Sequence, residues 1–358
     1  MTLPFQPPLE PMLAKSASFP EDDGWLYEPK WDGFRAIAFK HGNEVTIVSR
    51  DKKPLNRYFP ELTGLLLAEL TEDCIIDGEI VIPGRHGLEF ESLLLRIHPA
   101  ESRVRKLAAE FPASFVAFDL LARGSKDLRE TDLSDRRAGL ESLLKGAVQL
   151  PAGTTRSRRG LERDVVKALA GGSKLAITPQ TDSSELAKVW FEVFEGAGLD
   201  GVIAKRPDQR YRPGDRVMLK IKHIRTADCV VGGYRLNKAK DGVGSLLLGL
   251  YDDSGVLHYV GHTSSFKAPV RRELLQEFAA LEGGVSFGDG RTPGGPSRWT
   301  GAQGATWVPV EPSRVCEVAY DHLQGNRFRH ASTFKRWRPE KPPEECTFEQ
   351  ILPDARRR

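Results

Sequence analysis

Up to about residue 222, short runs of β-branched and aromatic residues alternate with longer segments whose apolar positions recur at helical spacing. The short runs predict strands at 25–30, 36–40, 44–49, 74–82, 115–121, 174–179 and 200–206. The longer segments predict helices at 61–70, 90–98, 134–146 and 183–198. Ser134 and Ser183 are expected to be N-caps, and Gly146 and Gly196 are expected to end their helices. This mixture predicts an α+β domain.

After about residue 225 the pattern changes to short strands separated by turn signals. Strands are predicted at 227–236, 245–253, 256–262, 306–312 and 314–320, with one helix at 265–281. The glycine-rich segment 283–305 has no periodicity and is expected to be a loop. A mostly-β unit with one helix fits a small OB-fold barrel. We therefore expect two domains, 1–223 and 224–358.

The composition of this 358-residue chain argues against a membrane protein and against a secreted protein. No apolar run approaches the roughly 18 residues of a membrane-spanning helix, and the N-terminus has no apolar signal segment. The four cysteines lie far apart without a C-x-x-C pair, which argues against disulfides and a structural zinc site. We expect a cytoplasmic protein with no membrane partner.

Positive charge is concentrated in the C-terminal part of the chain. The net charge is +3, and residues 225–358 contain 19 Lys and Arg against 16 Asp and Glu, so residues 1–224 are balanced. Segment 323–341 carries six cations and three aromatic residues against Glu340 alone. Such a composition is typical of phosphate-binding surfaces, although a solvated basic face has the same pattern.

A K-x-D-G-x-R pattern after the first strand carries the strongest chemical signal. It consists of Lys30, Asp32, Gly33 and Arg35. A lysine amine attacks phosphorus only when it is neutral, and burial or neighbouring cations such as Arg35 favour that form. Gly33 lets the backbone approach a nucleotide closely. The alternative from this motif alone is a surface lysine in a strand turn.

With this motif the chain resembles the covalent nucleotidyltransferase superfamily, which comprises DNA ligases, RNA ligases and mRNA capping enzymes. The resemblance makes Lys30 the residue that becomes covalently attached to AMP, and it places Glu28 among the nucleotide-binding residues. It also implies an N-terminal adenylation domain with antiparallel sheets and flanking helices, followed by an OB-fold domain.

Further motifs follow in the family's order, and the resemblance assigns their roles. Arg50, in segment 48–62, would contact the 5′-phosphate or nearby backbone. Glu79, in the D-G-E strand, would lie beside the ribose and a metal ion. Phe118 would stack on adenine, although an aromatic residue in an apolar strand is more often plain core.

The next matches lie close to the expected domain boundary. Asp200 would bind a second metal ion at a position where the family usually has Glu, and Ile203 would pack on the other face of adenine. Lys220 and Lys222 alternate along a strand, so both side chains lie on one face and can reach the triphosphate. Met218 occupies the place of the family's usual Trp.

The last match lies in the basic segment near the C-terminus. There Arg338 and Lys341 resemble the family's R-x-D-K motif, which orients pyrophosphate for departure, with Glu340 in place of the Asp. The matches together span residues 28–341 and look closest to short stand-alone bacterial ATP-dependent DNA ligases.

The family reaction supplies the expected cofactors and partners. A lysine takes AMP from ATP, AMP passes to the 5′-phosphate at a nick, and the 3′-hydroxyl displaces it, with Mg²⁺ or Mn²⁺ as the metal. ATP is expected in place of NAD because only 29 residues precede Lys30, too few for the extra domain of NAD-dependent relatives. The expected partner is nicked duplex DNA, and family relatives also work beside Ku and primase-polymerases in repair.

Two other functions share these motifs. An RNA ligase or capping-type guanylyltransferase has the same lysine motif but a different nucleotide or acceptor. A noncatalytic DNA-binding subunit is disfavoured because Lys30 and the candidate acids are all present.

Overall fold

A computed structural model describes residues 2–85, 87–154, 156, 160–194, 198–284, 286–288, 293 and 306–351. The chain divides into two compact units, residues 1–223 and 224–358, each of which is described by itself. Within the described residues, no helix combines the length and the apolar character that crossing a bilayer requires.

The first unit contains two β-sheets. Its strands are β1 (Leu13–Ser16), β2 (Leu26–Pro29), β3 (Phe34–His41), β4 (Glu44–Ser49), β5 (Cys74–Val81), β6 (Ser114–Arg123), β7 (Lys126–Asp127), β8 (Val148–Gln149), β9 (Leu175–Ile177), β10 (Val202–Lys205) and β11 (Arg216–Ile221). One sheet has the order β4-β3-β5-β6-β9-β8, with β7 added to β6, and the other has the order β1-β11-β10-β2. Most pairings are antiparallel, whereas β1–β11, β6–β9 and β8–β9 are parallel.

Helices flank these sheets. They are α1 (Pro60–Glu69), α2 (Phe90–Arg96), α3 (Glu101–Glu110), α4 (Leu133–Leu143), α5 (Leu161–Leu169) and α6 (Ser184–Val193). Leucines of α1, α2 and α4 share one core with alternate residues of β3, β5 and β6. The helices α5 and α6 share another core with β2 and β10.

Because side chains alternate along a strand, one set faces the helices and the other set faces the opposite side of the sheet. On β3, Ala36 and Ala38 pack under the helices, so Arg35, Ile37 and Phe39 point to the opposite face. That face meets a core that includes Met218 of β11. The same alternation directs Asp77 and Glu79 of β5 and Phe118 of β6 to this face.

In its described residues, the second unit is a five-stranded barrel with one α-helix. Its elements are β12 (Arg225–Leu236), β13 (Val243–Tyr251), β14 (Leu257–Thr263), α7 (Ala268–Ala279), β15 (Val308–Tyr320), β16 (Leu323–Gln324), β17 (Arg327–Phe328) and β18 (Thr333–Trp337). The sheet order is β14-β13-β12-β15-β18, and a parallel bridge from Thr263 to Ser332 brings its two edge strands together. Two short 3₁₀ helices, Pro343–Glu345 and Phe348–Gln350, follow. This is the OB-fold topology, with the helix between the third and fourth barrel strands.

The predicted α+β class and OB-fold are confirmed, and Ser183 is an N-cap whose Oγ accepts from the Leu186 N–H at 3.2 Å. The prediction for Ser134 was wrong, because α4 begins earlier and Asp132 is its N-cap. That helix also ends at Leu143, before the expected Gly146. The two strands predicted at 306–312 and 314–320 form the single strand β15.

The sequence pattern did not predict every helix, and some predicted features lie outside the described residues. The helices α3 and α5 were not predicted. Gly196 lies outside the described residues, as does most of the predicted loop 283–305.

Candidate active site

Side chains from both sheets of the first unit line a cavity of about 250 Å³. All the nucleotide-binding residues that the sequence predicts within this unit line it, namely Glu28, Lys30, Arg35, Arg50, Glu79, Phe118, Ile203, Lys220 and Lys222. The chain positions of these residues span almost 200 residues, and the pairing of the sheets brings them together. Their roles toward a nucleotide remain predictions.

Lys30 lies directly after β2 and is held by both backbone and side-chain contacts. Its N–H donates to the Gly201 carbonyl at 2.9 Å, and its carbonyl accepts from the Asp200 N–H at 2.8 Å. Its Nζ lies 2.7 Å from Asp200 Oδ2, and Lys222 Nζ lies 2.6 Å from the same oxygen. The largely buried Asp200 carboxylate therefore holds two ammonium groups at one side of the cavity.

Glu28 is buried and engaged through both carboxylate oxygens. Gln180 Nε2 donates to Oε1 at 2.8 Å, and Lys205 Nζ donates to Oε2 at 2.7 Å. The pair of Glu28 and Lys205 is 3% exposed at each residue, so its strength is little reduced by solvent.

Two cations lie close to the ring of Phe118. The Arg35 guanidinium carbon is 4.3 Å from the ring centroid, and Lys205 Nζ is 5.0 Å from it. Cations are attracted to the face of an aromatic ring, so these contacts fix the ring in the cavity wall. Phe118 thus takes part in the cavity and is not plain core.

Arg35 is tied to a fully buried carboxylate. Its Nε and one terminal nitrogen donate to the two oxygens of Asp77, each at 2.7 Å, in a bidentate pair. Tyr211 Oη donates to Asp77 Oδ2 at 2.6 Å and accepts the Met12 N–H at 3.1 Å.

Burial raises the pKa of Glu79 to about 7, with Asp32 and Asp77 adding to the rise and Arg35 and Lys30 opposing it. Gly33 makes this position possible, because a Cβ there would overlap the Ile80 carbonyl oxygen and crowd the Glu79 side chain. The loop after β2 therefore lies directly against β5.

Cations dominate the β11 side of the cavity. Burial lowers the pKa of Lys220, and Lys222, Lys30, Arg216 and Arg50 lower it further. The repulsion of Lys220 by these neighbouring cations is relieved when a polyanion binds among them. The arrangement is suited to a chain of phosphates.

The carboxylates fit one mode of metal binding. No group of three or more His, Cys, Asp or Glu side chains within the described ranges could hold a metal by itself. Mg²⁺ is commonly bound by one or two carboxylates together with substrate phosphates and water. The predicted donors are Glu79, whose ionised form is disfavoured by burial, and Asp200, whose carboxylate already contacts two cations, and their role toward a metal ion remains a prediction.

The two C-terminal candidates lie in the second unit and are ion-paired there. Arg338 contacts both oxygens of Asp228 at 2.8 and 3.0 Å and also pairs with Glu340. Lys341 Nζ lies 2.6 Å from Glu345 Oε2. To take its predicted role, each cation would have to leave its acidic partner and contact pyrophosphate.

The sequence reasoning gave no role to several residues of the site. Lys205 lies two positions after Ile203 in the predicted strand 200–206. Arg216 continues the alternation of Met218, Lys220 and Lys222, so both residues could have been found by period-two spacing. Asp77 and Tyr211 are 134 residues apart, and nothing in the local sequence links them.

Comparison with known proteins gives concordant matches. Residues 11–222 match the family model described as ATP dependent DNA ligase domain, and residues 239–341 match the one described as ATP dependent DNA ligase C terminal region. The chain is 47% identical over 365 residues to DNA ligase C of Mycobacterium tuberculosis, covering 98% of this chain and 96% of the relative.

Two further matches are more distant. The chain is 28% identical over 348 residues to a protein of M. tuberculosis named multifunctional non-homologous end joining DNA repair protein LigD, covering 95% of this chain and 40% of that protein. A solved structure from a study of Lig E DNA ligases superposes with a TM-score of 0.55 at 17% identity, covering 92% of this chain and 99% of that chain, which supports the fold.

Proposed function

Because the chain belongs to the ATP-dependent DNA ligase family, we propose that it seals nicks in duplex DNA through an AMP group carried on Lys30. The observation that supports Lys30 is its place in the cavity, where Asp200 holds its Nζ at 2.7 Å and the cations of β11 lie nearby.

In the first step, the Lys30 Nζ lone pair forms a bond to the α-phosphorus of ATP while the bond from that phosphorus to the bridging oxygen breaks, releasing pyrophosphate. The ammonium must lose a proton first, and Asp200 Oδ2 is placed to accept it. Lys220 and Lys222 would stabilise the charge on the phosphate oxygens, and Phe118 and Ile203 would hold the adenine between them.

Glu79 and Asp200 are the residues that would hold Mg²⁺ or Mn²⁺. A bound divalent cation would supply charge compensation on the transferring phosphate. Since magnesium site geometry depends on the substrate oxygens, we assign only these two protein donors.

We also propose the DNA substrate and its setting. The acceptor is a nick with a 5′-phosphate and a 3′-hydroxyl, and Arg50, exposed at the turn after β4, would contact the 5′-phosphate or its neighbours. A role in DNA repair is supported by similarity to the protein named for non-homologous end joining DNA repair. Work beside Ku or a primase-polymerase is proposed from the family resemblance alone. A cytoplasmic location close to the chromosome fits the bacterial relatives.

The proposal is tested by sealing a 5′-phosphorylated nick in the presence of Mg²⁺ with ATP, GTP or NAD, on substrates with DNA or RNA at each side of the nick. We expect sealing of all-DNA nicks with ATP only. Sealing restricted to RNA-containing strands would support the RNA ligase alternative, and labelling with GTP would support a capping-type enzyme.

The first prediction concerns Lys30→Ala. The variant should form no lysyl-AMP and should seal no ordinary nick, a loss of at least about 10³-fold, because the nucleophile is absent. It should still seal a nick that already carries AMP on its 5′-phosphate, since that step needs no lysine attack. Both rates are measured on gels with labelled strands.

Lys126→Ala is the matched control, because Lys126 is an exposed lysine on β7 outside the cavity. It should keep wild-type rates in both assays. Lysyl-AMP formation by the Lys30→Ala variant would refute the assignment of the nucleophile.

A further inference from the structure

A chain of hydrogen bonds centred on Tyr211 joins two walls of the cavity. Tyr211 is 1% exposed, and its backbone N–H donates to the Arg129 carbonyl at 2.9 Å. Its hydroxyl accepts the Met12 N–H at 3.1 Å and donates to Asp77 Oδ2 at 2.6 Å.

Each end of this chain reaches the cavity. Met12 lies just before β1, and residues 11–14 line one wall. Asp77 lies on β5 and accepts two hydrogen bonds from Arg35. Arg35 in turn lies over the ring of Phe118 on another wall of the cavity. The hydroxyl of Tyr211 therefore connects the segment 11–14 to the pair of Arg35 and Phe118 through two short bonds, beside a longer direct bond of 3.5 Å from Arg35 to the Met12 carbonyl.

The hydroxyl serves as both donor and acceptor, since it accepts the Met12 N–H and donates to Asp77. Burial and the Asp77 carboxylate keep the pKa of Tyr211 well above its ordinary value, so the proton stays on the oxygen. Phenylalanine would leave the buried Met12 N–H without this acceptor and would leave Asp77 without one of its donors. Buried networks of this kind hold their members in one geometry only when all bonds are made.

We propose that Tyr211 is a positioning residue for ATP, setting the spacing between segment 11–14 and the walls formed by Arg35 and Phe118. This inference rests on the proposed function, in which the cavity binds ATP for transfer to Lys30. Tyr211 itself does not line the cavity, so it acts only through Met12, Asp77 and Arg35.

The test is single-turnover formation of lysyl-AMP by full-length Tyr211→Phe over a range of ATP concentrations. The half-saturating ATP concentration should rise about tenfold, the size expected for loss of a hydrogen bond to a charged group. The maximal rate should change less than about threefold, because Lys30 and Asp200 are not members of the Tyr211 hydrogen-bond chain. A purely structural role would lower the active fraction and leave the half-saturating concentration unchanged.

Tyr234→Phe is the matched control. Tyr234 is a buried tyrosine of the second unit whose hydroxyl donates to Glu282, so the control also loses a tyrosine–carboxylate bond. It should leave the half-saturating ATP concentration within twofold of wild type.

Asp77→Asn is the second variant, because it removes the acceptor charge while keeping the side-chain volume. It should raise the half-saturating ATP concentration as well, and the double variant should be no worse than Asp77→Asn alone, since both residues act through one chain. An unchanged half-saturating concentration in Tyr211→Phe, or a change confined to the maximal rate, would overturn the inference. Absence of lysyl-AMP in the wild-type protein would instead overturn the proposed function.

Discussion

At the residue scale, Glu79 occupies a position that disfavours its own ionised form. Burial raises its pKa from an ordinary value of 4.5 to about 7, with Asp32 and Asp77 adding to the rise. Such a position costs stability in the free protein and is useful when a cation or a ribose hydroxyl binds there. This position agrees with the binding role that the sequence predicts for Glu79.

This gives a prediction with a defined pH dependence. Between pH 4.5 and 7 the unfolded chain has released the Glu79 proton while the folded chain retains it, so this residue's contribution to stability falls as pH rises through that window. Glu79→Gln should therefore raise the free energy of unfolding by about 1–2 kcal/mol at pH 8 and by almost nothing at pH 4. Urea denaturation at the two pH values measures the difference.

Glu44→Gln, at an exposed position of β4, should show no such pH-dependent gain. A Glu79→Gln variant that is equally or less stable at pH 8 would contradict the placement of this carboxyl. The same variant should form lysyl-AMP more slowly at pH 8, where the wild-type carboxylate is ionised.

At the scale of elements, the site depends on how closely β2, β10 and β11 meet. Gly201, just before β10, has a φ of +104°, and a Cβ there would overlap the Ile221 carbonyl oxygen. Its own carbonyl accepts the Lys30 N–H. One glycine therefore allows two strands to meet and also holds the backbone of the predicted nucleophile.

Gly201→Ala should lower the free energy of unfolding by at least about 3 kcal/mol, since it combines an unfavourable φ with backbone overlap. Lysyl-AMP formation should fall as well, because the backbone shift that relieves the overlap would displace the carbonyl that accepts the Lys30 N–H. The measurements are urea denaturation and single-turnover adenylation under conditions where the variant is folded.

Gly64→Ala provides the control in α1, where a Cβ would meet nothing within 4 Å. It should stabilise the protein by about 0.5–1 kcal/mol, the usual gain for alanine over glycine in a helix. Wild-type stability in Gly201→Ala would show that β2, β10 and β11 do not need this close approach.

At the scale of the whole molecule, the predicted chemistry is divided between two units. The first contains the cavity, and the second carries Arg338 and Lys341, which the family resemblance assigns to pyrophosphate. In the second unit both cations are paired with acids, Arg338 mainly with Asp228 and Lys341 with Glu345. Their part in the reaction is therefore separable from the later sealing step, in which no pyrophosphate is present.

Lys341→Ala should slow lysyl-AMP formation by about tenfold or more, because one cation for the leaving group is lost. Sealing of a nick that already carries AMP should stay within twofold of wild type. The free energy of unfolding should change little, because the pair with Glu345 is partly exposed. Rapid-quench assays of the two steps separate these effects.

Lys335→Ala, which removes an exposed lysine from β18, should leave lysyl-AMP formation unchanged. Equal slowing of both steps by Lys341→Ala would indicate a role in DNA binding in place of pyrophosphate departure.

The sequence by itself determined which neighbouring side chains share a face of a strand, and it determined the motifs that lie within short segments. A strand alternates its side chains with period two, so Lys220 and Lys222 had to share a face, and Arg35 had to lie opposite Ala36. The lysine motif and its ordered companions required no tertiary information. The apolar periodicity was too weak to predict α3, because this charged helix buries only Val104 and Leu107.

The tertiary structure alone decided which distant residues meet. Tyr211 bonds to Met12 across 199 positions and to Asp77 across 134, and Glu28 meets Lys205 across 177. It also decided which polar residue begins α4, where Asp132 takes the place expected for Ser134. The physical reason is that a buried polar group must find its partner wherever packing brings one, and sheet pairing determines that, not distance along the chain.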